Sequence, residues 1–243
     1  MELSIKKDGK VLGILGGMGP YATVYAFKMV LDRFDAKKDW DYPRIIIDNN
    51  PKLPSRVRAI LFGEHKEEIS SSMRKGIMSL VQCGANIIFI PCNTAHYFID
   101  KLPAFFNNSV KILDMIGLVL GRCKTKEYKN IGVLASEGIV DADVYGKYFA
   151  AYKGSDVTYL LGEYLKNTRE IIEDVKQNKI SAKTKEMFIE QINLFDNVDC
   201  VVIGCTELSL LWGSLSDNEK LMFKHPVLDA LEISIDKIFL YLK

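Results

Sequence analysis

Short apolar runs, each bounded by glycine, proline or a polar residue, recur along the chain and predict buried strands. Their length and their Ile and Val content are typical of parallel strands, and they cover residues 11–15, 45–47, 87–90, 131–134 and 201–203. Between them, apolar residues at helical spacing predict helices over residues 22–34, 67–82, 170–175, 183–195 and 227–242. Pro20 suits a first helical turn, and Gly84 suits the position after a helix end. This alternation predicts an α/β fold with parallel sheets and right-handed crossovers.

The order of motifs in the first half of the chain is repeated in the second half. Each half has a strand followed by a glycine-containing turn, at Gly16 and at Gly138, and a later strand that ends at a cysteine, Cys92 or Cys205. Open α/β sheets bind ligands outside the carboxyl ends of their strands. We therefore predict two similar Rossmann-like lobes with a shared inter-lobe cleft. The predicted division assigns residues 1–117 and 210–243 to the first lobe and residues 118–209 to the second.

Composition and charge narrow the class of protein. The 243 residues are 48% hydrophobic and 26% charged, and 32 basic residues nearly balance 31 acidic ones, for a net charge of +1. This composition suits a globular protein and argues against a nucleic-acid or membrane partner. No stretch approaches the roughly 18 apolar residues of a membrane span. Residues 1–10 are charged and lack the apolar core of a secretory signal, so we expect a cytoplasmic protein.

The cysteines predict free thiols. They number five, without a CxxC pair, and an odd count in a reducing compartment disfavours a disulfide framework. No cluster of His with Asp or Glu has metal-ligand spacing, so no metal is expected. Cysteine is also a common small buried residue, and that interpretation is preferred for Cys83, Cys123 and Cys200.

Cys92 and Cys205 stand apart because each follows a predicted strand and precedes a predicted helix start. Thr94 and Thr206 are the expected N-cap residues. Backbone N–H groups and the helix dipole at such a position stabilise a thiolate, which predicts pKa values below the free value of ~8.5. Two thiols in matching contexts suit inversion at a carbon, in which one removes a proton from one face and the other donates a proton to the opposite face.

Three segments resemble the signature segments of the aspartate/glutamate racemase family: Gly16-Gly-Met-Gly-Pro20, Pro91-Cys-Asn-Thr-Ala-His96 and Gly204-Cys-Thr-Glu-Leu208. They occur in the family's order and are most similar to the aspartate racemase branch, since glutamate racemases open with Asp-Ser-Gly and have Cys-Thr-His. The resemblance implies a pyridoxal-independent amino-acid racemase without a cofactor. It implies action on aspartate, or on aspartate and other amino acids including glutamate, and a homodimer.

The resemblance also implies roles for individual residues. Cys92 and Cys205 would be the proton-transfer pair, and Arg56 and Lys176 would bind carboxylates, although a solvated arginine and a surface-helix lysine are the alternatives for those two. The Gly16–Gly19 turn would offer backbone N–H groups to a carboxylate. Ile139 replaces a hydroxyl residue that is frequent in the family. The remaining residues expected to contact the reacting end or the turn are Met18, Asn93, Thr94, Ser136 and Thr206.

Parts of the sequence are also compatible with three functions other than racemisation. Gly17-Met-Gly19-Pro-Tyr-Ala22 fits the short G-x-G-x-x-A pattern of nucleotide-dependent oxidoreductases, but that function leaves both strand-end cysteines unexplained. A sibling activity in the same superfamily, such as maleate isomerase, hydantoin racemase or arylmalonate decarboxylation, would use the same fold and one or both cysteines. A binding protein that performs no chemistry would not require two thiols.

Overall fold

The structure is a computed structural model that describes residues 9–101 and 110–243. Its strands are β1 (Leu12–Gly16), β2 (Ile45–Asn49), β3 (Ile87–Phe89), β4 (Lys111–Ile112), β5 (Asn130–Leu134), β6 (Asp156–Tyr159), β7 (Cys200–Ile203) and β8 (Val227–Asp229). The expected lack of a secretory signal concerns residues 1–10, and of these residues 1–8 lie outside the described residues.

The helices cover the faces and ends of the sheets. The α-helices are α1 (Pro20–Asp32), α2 (Arg56–Phe62), α3 (Lys66–Gln82), α4 (Met115–Thr125), α5 (Glu137–Asp141), α6 (Val144–Phe149), α7 (Gly162–Lys176), α8 (Ala182–Asn193), α9 (Thr206–Ser214), α10 (Asp217–Lys220) and α11 (Ala230–Leu242). Two further segments, Asp39–Asp41 and Asn93–Lys101, are 3₁₀ helices. Gly84 follows the C-cap of α3 with φ 103°, which confirms its predicted position.

Two parallel four-stranded sheets confirm the predicted two-lobed α/β fold. The strand order is β2-β1-β3-β4 in the first sheet and β6-β5-β7-β8 in the second, so both sheets have the same arrangement in chain order. Ile14 pairs with Ile47 and Phe89 in the first sheet. Val133 pairs with Tyr159 and Val202 in the second. All five predicted strands lie within these sheets. Four of them are buried, as predicted, because short Ile- and Val-rich runs match strands that are covered on both faces. The prediction of burial is wrong for β2, which is an edge strand with Ile47 39% exposed.

One apolar core is shared by the two lobes. It joins side chains of the first sheet, such as Ile14 and Phe89, to side chains of the second, such as Val133 and Val202, through α11 residues including Ile235. Separate clusters lie between the first sheet and α3 and between the second sheet and α7 with α8. The shared core packs the two sheets against each other, so their carboxyl edges are held in a defined relation.

The chain after β7 differs from the prediction. β8 completes the second sheet, although the predicted division placed residues 210–243 in the first lobe, so that assignment is wrong for this strand. The last helix begins at Ala230 rather than at residue 227, and the side chain of Asp229 caps it by accepting from Leu231 N at 3.0 Å. The apolar spacing runs from Val227 into the helix without a break, so spacing alone does not separate the strand from the helix.

The three cysteines expected to be packing residues divide into two groups. Cys123 and Cys200 are fully buried in the shared core, as predicted. Cys83 is exposed, so the prediction is wrong for it. It is the C-cap residue of α3, at the open end of the helix, and apolar spacing does not indicate which side of a helix end faces solvent.

Candidate active site

The central strands of both sheets end at one cleft. In the first sheet the chain passes from β1 to β2 at one edge and from β3 to β4 at the other edge. In the second sheet the connections after β5 and β7 diverge in the same way. Such a point of divergence is where α/β proteins bind ligands. A cavity of about 330 Å³ lies there. All nine residues predicted as site candidates line it: Met18, Arg56, Cys92, Asn93, Thr94, Ser136, Lys176, Cys205 and Thr206.

The glycine turn after β1 forms part of the cavity wall and is packed against the loop after β2. Gly17 has φ 88°, and a Cβ there would lie 2.2 Å from the backbone carbon of Asn50, so only glycine fits. Gly17 N donates to Thr23 Oγ1 at 2.9 Å, and that hydroxyl donates to Gly19 O at 2.9 Å. The N–H of Gly17 therefore stabilises the turn itself, whereas the sequence predicted that it would face a carboxylate in the cleft.

Cys92 lies on the loop after β3, which is held by several hydrogen bonds. It is 5% exposed, and its carbonyl accepts from Ala95 N at 3.2 Å. The ring of His96 lies 2.9 Å from the same carbonyl through Nδ1, while its Nε2 accepts from Met115 N at 3.0 Å, so Nδ1 carries the proton. His96 thus joins the cysteine loop to the start of α4. Thr94 is not an N-cap, because the 3₁₀ segment already includes it and begins at Asn93.

The surroundings of Cys92 raise the pKa of its thiol. Burial is the largest cause, and the negative charge of Glu207 adds to it. The positive charge of Arg56 acts in the opposite direction. The net pKa still lies above the ordinary value, so the predicted lowering at a helix start is wrong for Cys92.

Cys205 has an acidic partner instead. It is the N-cap residue of α9, so Thr206, which the sequence predicted to be the cap, is the first residue of the helix. The Cys205 thiol donates to Glu207 Oε2 at 3.1 Å. Burial, and then the charge of Glu207, raise the pKa of Cys205 well above its ordinary value, against a lowering by Lys176. The predicted lowering of the thiol pKa is therefore also wrong for Cys205, because desolvation and the Glu207 carboxylate outweigh the effect of the helix dipole.

The two predicted carboxylate-binding cations border the cavity from opposite lobes. Arg56 begins α2, and its Nη1 donates to Pro54 O at 3.0 Å. Lys176 ends α7 with 39% of its side chain exposed and its Nζ 2.8 Å from Glu173 Oε1. Burial lowers the pKa of Lys176, but the hydrogen bond to Glu173 and the charge of Glu207 raise it more, so Lys176 remains a cation.

Hydroxyl groups beside the cysteines connect the two lobes. Thr94 Oγ1 and Ser136 Oγ share a hydrogen bond of 3.1 Å. Thr206 Oγ1 donates to Pro91 O, also at 3.1 Å. Because Thr94 and Pro91 follow β3 while Ser136 and Thr206 follow β5 and β7, these bonds fasten the first lobe to the second at the cavity wall.

Two buried N–H donors of the cavity residues lack partners. Within the described parts of the chain, Asn93 Nδ2 and Arg56 Nε make no hydrogen bond, although both atoms are buried. The other end of the Asn93 amide is occupied, since Tyr145 Oη donates to Asn93 Oδ1 at 2.8 Å. A buried donor without an acceptor costs about 1–3 kcal/mol. Such donors therefore favour an anionic ligand in this cavity.

Three kinds of residue at the site were not predicted from the sequence. Glu207 lies in one of the family-like segments but no role was predicted for it, although an acidic residue in a first helical turn beside a cysteine is a usable signal. Tyr145 had no sequence signal that separated it from a core tyrosine. The apolar side of the cavity comes from Leu53, Val57 and Ile172. Ile139, noted as a departure from the family, is fully buried in the core and does not line the cavity.

Residues 9–101 and 110–243 contain neither a membrane-spanning helix nor a metal-binding cluster. No helix there combines the length and the apolar character that a bilayer crossing requires. No group of three or more His, Cys, Asp or Glu residues in the same ranges is arranged to hold a metal ion.

The fold and the site define a class of protein: a two-lobed parallel α/β protein in which each lobe contributes a thiol to one cavity. Residues 15–238 match the sequence model of the Asp/Glu/hydantoin racemase family. The chain therefore belongs to that family of racemases, and racemisation is an isomerase reaction.

Individual relatives agree with this assignment. The chain is 25% identical over 206 residues to the broad specificity amino-acid racemase RacX of Bacillus subtilis, covering 82% of this chain and 86% of RacX. It superposes on the aspartate racemase of Picrophilus torridus with a TM-score of 0.79 and 26% identity, over 95% of this chain and 94% of that one. The fold is also that of the glutamate racemase isoform RacE1 from Bacillus anthracis, with a TM-score of 0.66 and 15% identity, over 96% and 80% of the two chains.

Proposed function

We propose that the protein is a cofactor-independent racemase of aspartate, or of aspartate and other amino acids including glutamate, with Cys92 and Cys205 as its proton-transfer pair. The observation that carries this proposal is the position of the two thiols. They come from equivalent strands of the two lobes, they are both buried, and they line the same cavity. Two such groups suit inversion at a carbon, because one can remove a proton from one face while the other donates a proton to the opposite face.

The chemistry proceeds by proton transfer alone. One cysteine, as the thiolate, takes the α-proton, and the electron pair of the C–H bond moves towards the α-carboxylate. The other cysteine, as the thiol, then donates its proton to the opposite face of the α-carbon. The product is the opposite enantiomer, and the thiol and the thiolate have exchanged places. Because the two thiols perform both transfers, this route needs no pyridoxal and no metal.

The charges around the cavity support an amino acid with an acidic side chain. Arg56 and Lys176 border the cavity as cations, and a planar guanidinium suits a carboxylate. Charge that develops on the α-carboxylate in the transition state needs preorganised donors, which the buried Asn93 Nδ2 can supply. The similarity to the Picrophilus torridus aspartate racemase favours aspartate, and that to RacX favours a broader set of amino acids.

The decisive experiment is solvent deuterium exchange at the α-carbon, followed by proton NMR. Reduced protein without added cofactor is incubated in D₂O with each enantiomer of aspartate, glutamate and several neutral amino acids. Loss of the α-proton signal together with formation of the other enantiomer is the expected result and ranks the substrates. Turnover of maleate or of a hydantoin, without exchange in any amino acid, would replace this proposal by a sibling activity of the superfamily.

We also propose that the protein is a cytoplasmic homodimer, as the family resemblance implies. Light scattering coupled to size exclusion would give about twice the chain mass of 27.5 kDa. A single-chain mass at micromolar concentration would contradict the dimer without affecting the proposed chemistry, since the residues that line the cavity come from one chain.

A further inference from the structure

Tyr145 contacts the neighbours of both catalytic cysteines. Its hydroxyl donates to Asn93 Oδ1 at 2.8 Å, and Asn93 directly follows Cys92. Its ring packs against Gly204, which directly precedes Cys205, and a Cβ on Gly204 would lie 3.2 Å from the ring carbon Cε2. Tyr145 itself is fully buried and does not line the cavity. One ring from α6 thus lies behind both halves of the site.

The hydrogen bond from Tyr145 occupies one end of the Asn93 amide and leaves the other end available to a ligand. An asparagine amide has an acceptor oxygen at one end and a donor nitrogen at the other. The oxygen is occupied by Tyr145, while Nδ2 is buried without a partner in the described chain, and Asn93 lines the cavity. Burial raises the pKa of the Tyr145 hydroxyl well above 10, so the group keeps its proton at neutral pH and remains able to donate.

We infer that Tyr145 is a positioning residue that holds the Asn93 amide with its Nδ2 donor towards the α-carboxylate of the substrate. This inference rests on the proposed racemisation. In that reaction the α-carboxylate receives negative charge when the α-proton leaves, and a fixed donor beside it stabilises the transition state more than the ground state. A carbonyl oxygen in the same place would repel the carboxylate.

Removal of the Tyr145 hydroxyl should therefore affect the rate more than substrate binding. In Tyr145→Phe the ring still fills the space beside Gly204, but the amide of Asn93 is free to turn its oxygen towards the cavity. Loss of one donor to a developing oxyanion typically costs about 10²–10³ in kcat. Because the freed amide still presents Nδ2 part of the time, we expect kcat to fall about 10- to 100-fold in both directions, with a smaller change in KM.

A double-mutant cycle separates positioning from a general structural role. The variants are Tyr145→Phe, Asn93→Ala and their combination, with Tyr25→Phe as the control that removes a partly buried hydroxyl outside this cavity. If Tyr145 acts through Asn93, Tyr145→Phe lowers kcat in the wild-type background and adds almost nothing in the Asn93→Ala background. Additive losses, or an unchanged kcat in Tyr145→Phe, would overturn the inference.

Asn93→Asp tests the same point without altering Tyr145, which matters if Tyr145→Phe folds poorly. The aspartate side chain keeps an acceptor for the tyrosine hydroxyl but replaces the Nδ2 donor by an oxygen. We expect its kcat to fall at least as far as that of Asn93→Ala. Activity near that of the wild type would show that the donor is not used, and the positioning role would fail with it.

A binding measurement distinguishes failure of this inference from failure of the proposed function. The probe is L-aspartate, and the readout is its protection of Cys92 and Cys205 from alkylation by iodoacetamide. If the wild type racemises no amino acid, but L-aspartate protects the thiols and Tyr145→Phe weakens that protection only when Asn93 is present, the amide orientation stands and the racemase proposal fails. If the wild type racemises amino acids but the losses in the variants are additive, the racemase proposal stands and the amide orientation fails. Neither racemisation nor protection would overturn both.

Discussion

The two thiol sites are built on the same backbone plan but differ in charge. Cys92 and Cys205 both follow the third strand of a sheet with the same strand order. The thiol of Cys92 lies beside the guanidinium of Arg56, which counteracts the effect of burial. The thiol of Cys205 donates a hydrogen bond to the carboxylate of Glu207, which reinforces it. Repetition of the fold has therefore produced two geometrically equivalent positions with unequal proton affinity.

This inequality indicates how the free enzyme is protonated. Burial raises the pKa of both thiols, but of the two only the Cys205 thiol donates a hydrogen bond to a carboxylate. When one of the two thiols is ionised, we expect the thiolate to be Cys92 and the thiol to be Cys205. That singly ionised form has the correct protonation state for the enantiomer that presents its α-proton to Cys92.

Replacement of either thiol should have the largest effect, because it tests whether the two sites are equivalent in function. Cys92→Ser and Cys205→Ser should each lower racemisation of both enantiomers by about 10²–10⁴-fold, since a serine hydroxyl cannot replace a tuned acid or base. Chiral chromatography of product from L- and D-aspartate measures this effect. The matched control is Cys83→Ser, at an exposed cysteine, which should leave the rate unchanged.

The two-base mechanism would be wrong if either single variant kept near-normal racemisation. A more informative result is loss of racemisation with retained α-proton exchange from one enantiomer only. That pattern would identify which face each thiol serves.

Removal of the Arg56 charge should affect proton transfer by Cys92 more than proton transfer by Cys205. Arg56→Gln takes away the positive charge that opposes the raised pKa of Cys92, so that pKa should rise further. With a charge-assisted contact to a carboxylate also lost, kcat/KM should fall about 10- to 100-fold. Steady-state kinetics measure this effect, with the exposed Arg74→Gln as the control. An unchanged alkylation rate at Cys92 in Arg56→Gln would show that the guanidinium does not influence the thiol.

The pH dependence should follow the more easily ionised thiol. The active form needs one thiolate, and the pKa of Cys92 lies above its ordinary value, so the thiolate fraction increases as pH rises towards that pKa. Below it, kcat/KM should increase about tenfold for each pH unit. Initial rates between about pH 6.5 and about pH 9.5, a range that brackets ordinary thiol titration, measure the slope. A flat profile over this range would contradict the raised thiol pKa.

Neutralisation of Glu207 should give the smallest of these effects and should make the pKa values of Cys92 and Cys205 more alike. Glu207→Gln removes the charge that raises the pKa of Cys205, so that pKa should fall. In a Cys92→Ser background, iodoacetamide should alkylate Cys205 several times faster at about pH 8, near ordinary thiol titration, than it does with Glu207 present. Glu186→Gln, at an exposed position on α8, is the control. Equal or slower alkylation would show that Glu207 does not hold the proton of Cys205.

Local sequence patterns predicted the architecture well because strand and helix formation follows from short-range spacing. The apolar runs before Cys92 and Cys205 are strands, and the repeated order of motifs corresponds to two sheets of equal strand order. The short strand β8 falls inside a predicted helix, because three residues are too few to establish a period. The sheet to which it belongs depends on pairing with β7, which is a long-range contact.

Local patterns in the chain were enough to predict that two strand-end thiols would meet at one cleft, since parallel strands of like order bring their carboxyl ends to the same edge. With the family's motifs, they also predicted the other candidate residues that line the cavity. The charge state of the site, by contrast, follows from the three-dimensional packing. Desolvation and the Glu207 contact, which raise the thiol pKa values, and the bond from Tyr145 that orients Asn93 depend on how the folded chain surrounds each group. Burial and contacts between distant segments leave no signal in the local sequence. A helix start does leave a local signal, and it predicted a lowering of the thiol pKa values where the structure shows a rise.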